Sequence, residues 1–140
     1  MSASRVMGLS EVARLAGRGA EARQHAHQAL ALARHEQAHW YEARALHQLG
    51  VVYAQVDPPE VGHAAAHYQQ ALALAEELGI RPLVAHCHLG LGRLYGQTGQ
   101  WEQARTALAT AIEMYRAMAM TFWLPQAEAA LAQAEVGHGR

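Results

Sequence analysis

Small and apolar residues recur along the chain at spacings of three and four, as in Ala64, Tyr68, Ala71 and Leu72, then Ala104, Leu108, Ala111 and Ile112. That spacing lines one face of an α-helix. Strict alternation of polar and apolar positions, the mark of a half-buried strand, is missing from the sequence. The breaks are sharp. Gly17-Arg18-Gly19, Asp57-Pro58-Pro59, Gly79-Ile80-Arg81-Pro82 and Thr98-Gly99 supply glycine for positive φ or proline for a first helical turn. Pattern and breaks predict helices over about 4–16, 19–36, 39–55, 60–78, 82–97, 100–118 and 121–135.

The pattern also repeats. Gln28-Ala29-Leu30-Ala31-Leu32-Ala33 recurs letter for letter 42 positions later as Gln70-Ala71-Leu72-Ala73-Leu74-Ala75. Leu49-Gly50-Val51-Val52-Tyr53-Ala54-Gln55 recurs at the same offset as Leu91-Gly92-Arg93-Leu94-Tyr95-Gly96-Gln97. Leu-Gly-x-x-Tyr, then Ala-x-x-x-(aromatic or Leu)-x-x-Ala, resembles the tetratricopeptide repeat, in which paired helices approach through small residues. The middle unit carries the pattern on Gly50, Tyr53, Ala64, Tyr68, Ala71 and Leu72, and the third on Gly92, Tyr95, Gly99, Ala104, Leu108 and Ala111. A first unit keeps the spacing on Leu9, Ser10, Ala13, Gly17, Ala22 and Ala29, with Ser10 for Gly and Ala13 for Tyr.

The resemblance implies an all-α fold: an α-solenoid of three helical hairpins plus a C-terminal capping helix, about seven helices in all. It implies one domain over 1–136, with units at about 4–36, 39–78 and 82–118, a cap at 121–135 and a frayed tail at 137–140. The period of 40 to 42 residues exceeds the family's usual length of about 34. It is similar to that of the repeat tails of large bacterial signalling ATPases and cyclase-containing regulators, and the stretch from Met118 to Leu131 resembles the C-terminus of such proteins.

Composition narrows the function classes. Of 140 residues, 31 are Ala, all 11 basic residues are Arg, and neither Lys nor Asn occurs, which favours helix. A formal net charge of -1 excludes nucleic-acid binding driven by bulk electrostatics. One cysteine excludes an intramolecular disulfide framework and a four-thiolate zinc site. His, Arg, Gln or Glu interrupts every apolar run, so no membrane span is predicted, and Met1 to Arg5 leads into no secretory signal. The expected location is the cytoplasm.

The sharpest local string is His35-Glu36-Gln37-Ala38-His39, which satisfies H-E-x-x-H. On a continuous helix the two imidazoles would share a face and could hold zinc, with the Glu as general base. The repeat register, however, puts this string in the turn between units, and a third ligand would have to come from His63, His67 or Glu60. A His-rich metal-binding protein, with zinc hydrolysis as its activity, is therefore the competing reading. His63 and His67 form a second i, i+4 pair. His86 and His88 are two apart and point about 200° away from each other on a helix, so they cannot share an ion. Cys87 falls in register with Ala45, as a small core residue. Trp40, Trp101 and Trp123 stand near helix starts and are expected to pack across corners. No catalytic constellation, cofactor site or metal site is assigned, and the chain reads as a non-enzyme.

In the resembling family the first helix of each unit lines a concave groove that binds peptides. Carried onto this chain, the groove candidates are Arg14, Arg44, His47, Gln55, His86, Leu89, Arg93 and Gln97. Several are cationic, which implies a protein or peptide partner with an acidic segment. The family's Lys and Asn clamp for a terminal carboxylate is not reproduced. The first helix carries Val6, Met7, Leu9, Val12, Leu15 and Ala16 without a polar cap, so self-association through a terminal face is expected too. A self-assembling scaffold with no groove ligand is the third reading.

Overall fold

A computed structural model describes residues 2–139. Met1, where the expected domain begins, and Arg140, where the expected tail ends, lie outside the described residues. Those residues form seven helices: α1 (Ala3–Leu15), α2 (Gly19–His35), α3 (His39–Gln55), α4 (Val61–Leu78), α5 (Arg81–Gln97), α6 (Trp101–Ala117) and α7 (Leu124–His138). No strand occurs among the described residues. The all-α helical repeat expected from the sequence is the fold observed.

Two compact units divide the chain, one ending at Leu78 and one beginning at Gly79. In the first, hairpin α1/α2 and hairpin α3/α4 are joined by α3 packing on α2. In the second, α5 and α6 form one hairpin and α7 packs on both of its helices. The turns inside the α1/α2 and α5/α6 hairpins depend on Gly17 at φ 77° and Gly99 at φ 75°, where a Cβ would clash with its own backbone. The turns after α2 and α6 place Gln37 and Ala119 at φ 55°, a conformation that costs a non-glycine residue about 1–2 kcal/mol.

Each second helix buries the same register positions. Counting from the first residue, the fourth, eleventh and fifteenth are Ala22, Ala29 and Ala33 in α2, Ala64, Ala71 and Ala75 in α4, and Ala104, Ala111 and Tyr115 in α6. All nine are sealed from solvent. The helices of a hairpin cross where the first of them is small. A Cβ built on Gly50 would stand 2.6 Å from the Tyr68 ring, and one on Gly92 would stand 2.5 Å from Leu108 Cγ. Ser10 takes that place in α1, and its hydroxyl donates to the Ala22 carbonyl at 2.7 Å.

One boundary differs from expectation. Thr121 to Trp123 form a turn, so α7 starts at Leu124 with Pro125 in its first turn, and it runs on to His138. Gly137 and His138, expected in the frayed tail, are thus helical, and the His138 imidazole stacks on Trp101 at 5.0 Å. That aromatic contact anchors the end of the helix.

Candidate interaction surfaces

α1 presents three faces. Ala3, Val6, Ser10 and Ala13 point into the core. Glu11 and Arg14 point towards α3, and Leu9, Val12 and Leu15 point to solvent. Arg14 donates to Glu11 through Nη2 at 2.5 Å and Nε at 3.1 Å, and through Nη1 to Gln55 Oε1 at 3.1 Å. Gln48 Nε2 donates to Glu11 Oε2 at 3.0 Å and to Ser10 Oγ at 3.4 Å. The hydrogen bond from Arg14 holds the Glu11 carboxyl below its usual range; Gln48 and the positive potential of Arg14 and His47 act the same way, and partial burial opposes them. Glu11 in turn makes Arg14 more basic.

Two of the predicted groove residues, Arg14 and Gln55, therefore meet on one polar face, and the charge of Arg14 is offset by Glu11. His47 faces the Tyr68 ring at 5.4 Å. Arg44 is exposed and lies over the Trp40 ring, 4.9 Å from its centre. Trp40 is itself 45% exposed, so it serves Arg44 instead of packing a corner.

The second unit arranges its candidates differently. His86 Nδ1 hydrogen-bonds the Tyr115 hydroxyl at 2.6 Å, and its ring meets Trp123 edge-on at 4.6 Å. Burial pushes the Tyr115 phenol far above its ordinary range, against the opposing pull of Arg93. Leu89 is a correction to the groove reading: it is 3% exposed and lies in a core with Leu108, Ala111, Tyr115 and Ala127. The reason is α7, which contributes Ala127 to that core. Arg93 and Gln97 are exposed.

The metal strings take definite places. α2 ends at His35 and α3 begins at His39, with Gln37 at positive φ between them. His35 and His39 thus belong to different helices, and His39 instead meets Glu42 at 3.4 Å. His63 and His67 both stack on Tyr53, at 5.1 and 5.3 Å, and His67 Nδ1 bonds the His63 carbonyl at 2.8 Å. His27 completes the group, with Nε2 2.8 Å from the Tyr53 hydroxyl. This gathering of α2, α3 and α4 carries no local motif. Its only sequence signal is the abundance of His on those helices. Among the described residues no set of three or more His, Cys, Asp or Glu side chains is placed to hold a metal ion. Nor is any described helix long and apolar enough to cross a membrane.

Residues 63–117, which run from α4 through α5 to the end of α6, match the family model described as tetratricopeptide repeat. That segment is similar to the tetratricopeptide repeat. Its Gly92/Leu108 crossing falls inside the matched segment, and Gly50/Tyr68 pairs a glycine just before it with an aromatic residue inside it. Among solved structures, the apo form of RapI is similar, with a TM-score of 0.85 at 20% sequence identity. That likeness covers 96% of this repeat chain and 48% of RapI, so the chain spans about half the length of that neighbour. A search of curated proteins finds no match.

Proposed function

We propose that the chain is a non-enzymatic protein-interaction module that binds an acidic peptide segment on the exposed faces of its first helices, in the cytoplasm. The observation that carries this reading is Arg44. Its guanidinium lies over Trp40 on an exposed residue, and a guanidinium stacked on a ring still has its planar N–H donors to offer a carboxylate. Stacking restricts the side chain, which lowers the entropy lost on binding. Arg93 offers an exposed guanidinium in the second unit. Arg14, already bonded to Glu11 and Gln55, contributes hydrogen-bonding groups but little free charge. Self-association through the outward face of α1 belongs to the same proposal.

Fluorescence polarisation with labelled peptides tests the groove reading, using acidic sequences and neutral ones of equal length. Acidic peptides should bind more tightly, weaken with added salt, and lose about tenfold in affinity with Arg44→Glu, which corresponds to about 1.4 kcal/mol. Arg44→Lys should lose part of that, since an ammonium neither stacks as well nor binds a carboxylate bidentately. Equal binding of neutral and acidic peptides would overturn the acidic partner.

A further inference from the structure

Between the turn after α1 and the last turn of α3 lies an open cleft of about 110 Å³. Gly17, Gly19 and Ala22 form one wall and Val52 and Val56 the other, while Arg14 and exposed Gln55 supply the polar lining. All of them belong to the first unit. The space exists because one wall is almost bare of side chains. Gly17 serves its positive φ, whereas Gly19 starts α2 without one, and a Cβ on it would lie 3.8 Å from Val56 Cγ1. The second unit fills the matching corner from within. There α6 starts with Trp101 where α2 starts with Gly19, and the indole stacks on His138 of α7.

The polar lining decides what can enter. Arg14 Nη1 donates to Gln55 Oε1, which occupies the amide oxygen and leaves the amide nitrogen as a donor. The guanidinium has further N–H groups beyond the three it spends on Glu11 and Gln55. This side of the cleft therefore consists of donors, and Glu11 already balances the charge. It suits a neutral acceptor such as a peptide carbonyl, with an aliphatic group below it. A cavity of about 150 Å³ takes a benzene ring, so about 110 Å³ takes a side chain the size of valine or leucine and no aromatic ring.

Arg44 lies on the same face of α3. It precedes Gln55 by eleven residues, which is about 20° around the helix and about 17 Å along it. An extended peptide covers that distance in about five residues. We propose that the cleft seats a valine- or leucine-sized side chain of the acidic peptide whose carboxylate Arg44 receives, about four to six residues away along that peptide. This rests on the acidic-peptide reading and adds a second, apolar specificity to it. The backbone carbonyl beside that side chain accepts from Gln55 Nε2 and from the remaining N–H groups of Arg14. The two contacts together select a spacing, which one charge alone cannot do.

Titration of isotope-labelled protein with synthetic peptides, followed by NMR, reads both affinity and place. Each peptide carries one Glu in a Gly-Ser background, with Leu, Ala or Phe placed five residues from it, and a control carries Gln for the Glu. The Leu peptide should bind about five- to tenfold more tightly than the Ala peptide, and should shift the amide signals of Gly17 and Gly19. The Phe peptide should show no such gain. Gly19→Leu puts a side chain of its own into the cleft, and should erase the preference for Leu while the need for Glu persists and circular dichroism stays helical. Val56→Ala enlarges the cleft and should let the Phe peptide gain. Equal binding of the Leu and Ala peptides, with Glu still required, overturns the cleft and leaves the acidic reading standing. Equal binding of the Glu and Gln peptides overturns that reading and this proposal with it. A preference for Leu that survives Gly19→Leu overturns the seat assigned to that side chain.

Discussion

Hairpin α3/α4 in the first unit and hairpin α5/α6 in the second share one crossing and fill it differently. Under Gly50 lies the Tyr68 ring, and under Gly92 lies the Leu108 side chain, both at the eighth position of the second helix. The second unit places its tyrosine seven residues further on, at Tyr115, where the first unit has Ala75. The His–Tyr contact moves with it. His47 faces Tyr68 beside the crossing, whereas His86 bonds Tyr115 near the open end of its hairpin, where Trp123 also packs. In hairpin α1/α2, Ala26 stands at the eighth position and Ser10 replaces the glycine. What the crossings share is therefore one small residue on the first helix. Glycine is required only where the opposing residue is large.

The largest expected effect comes from enlarging the small partner. Gly92→Leu should cost about 3 kcal/mol in a denaturant melt, since even a Cβ would stand 2.5 Å from Leu108 Cγ. Gly50→Ala should cost about 1–3 kcal/mol through its contact with the enclosed Tyr68 ring, less the roughly 1 kcal/mol that alanine regains over glycine in a helix. In a Tyr68→Ala background that penalty should vanish, reproducing the Ser10 and Ala26 combination. An unchanged penalty would show that the ring is not the obstacle.

A smaller effect sharpens the contrast between the His–Tyr contacts. Tyr115→Phe removes the hydroxyl of a fully buried residue from its 2.6 Å hydrogen bond with half-buried His86 and should cost about 1–3 kcal/mol. Tyr53→Phe removes a comparable 2.8 Å bond to His27, which is exposed to water, and should cost about 0.5 kcal/mol. Equal losses would mean that enclosure does not separate the two sites.

The smallest effect is on pH dependence in the first unit. Partial burial, together with the positive potential of His67, Arg23 and His63, holds the His27 pKa below its ordinary value near 6.5. As pH falls, the unfolded chain takes up this proton first. The stability contributed by neutral His27 is complete above that ordinary value and is lost as pH falls through the lower folded-state value. Thermal melts should show a midpoint that declines below about pH 6.5, less steeply in His27→Gln.

Much of the fold was legible in the sequence because the small residues at helix crossings follow fixed local spacings. Ser10, Gly50 and Gly92 identify the first helices, and Ala22, Ala64 and Ala104 the second ones. The surfaces were less legible, because they join residues far apart in the chain. His27, Tyr53, His63 and His67 come from three helices, and no spacing rule links them. Leu89 was predicted on an open face because register counting takes each hairpin alone, whereas α7 lies against this one. Arg14 counts as cationic by residue type alone, and Glu11, one turn earlier, takes up its fork.

The stack of Trp101 on His138 gives α7 an optical signature. α7 runs from Leu124 to His138, so its last turn reaches the first residue of α6 only when the helix lies along α6 for its full length. Peeling α7 away would lift the imidazole from the indole and rehydrate that ring face. With Trp40 and Trp123 replaced by Phe, the emission of Trp101 thus gauges whether the closing helix is docked, and no added label is needed to follow it.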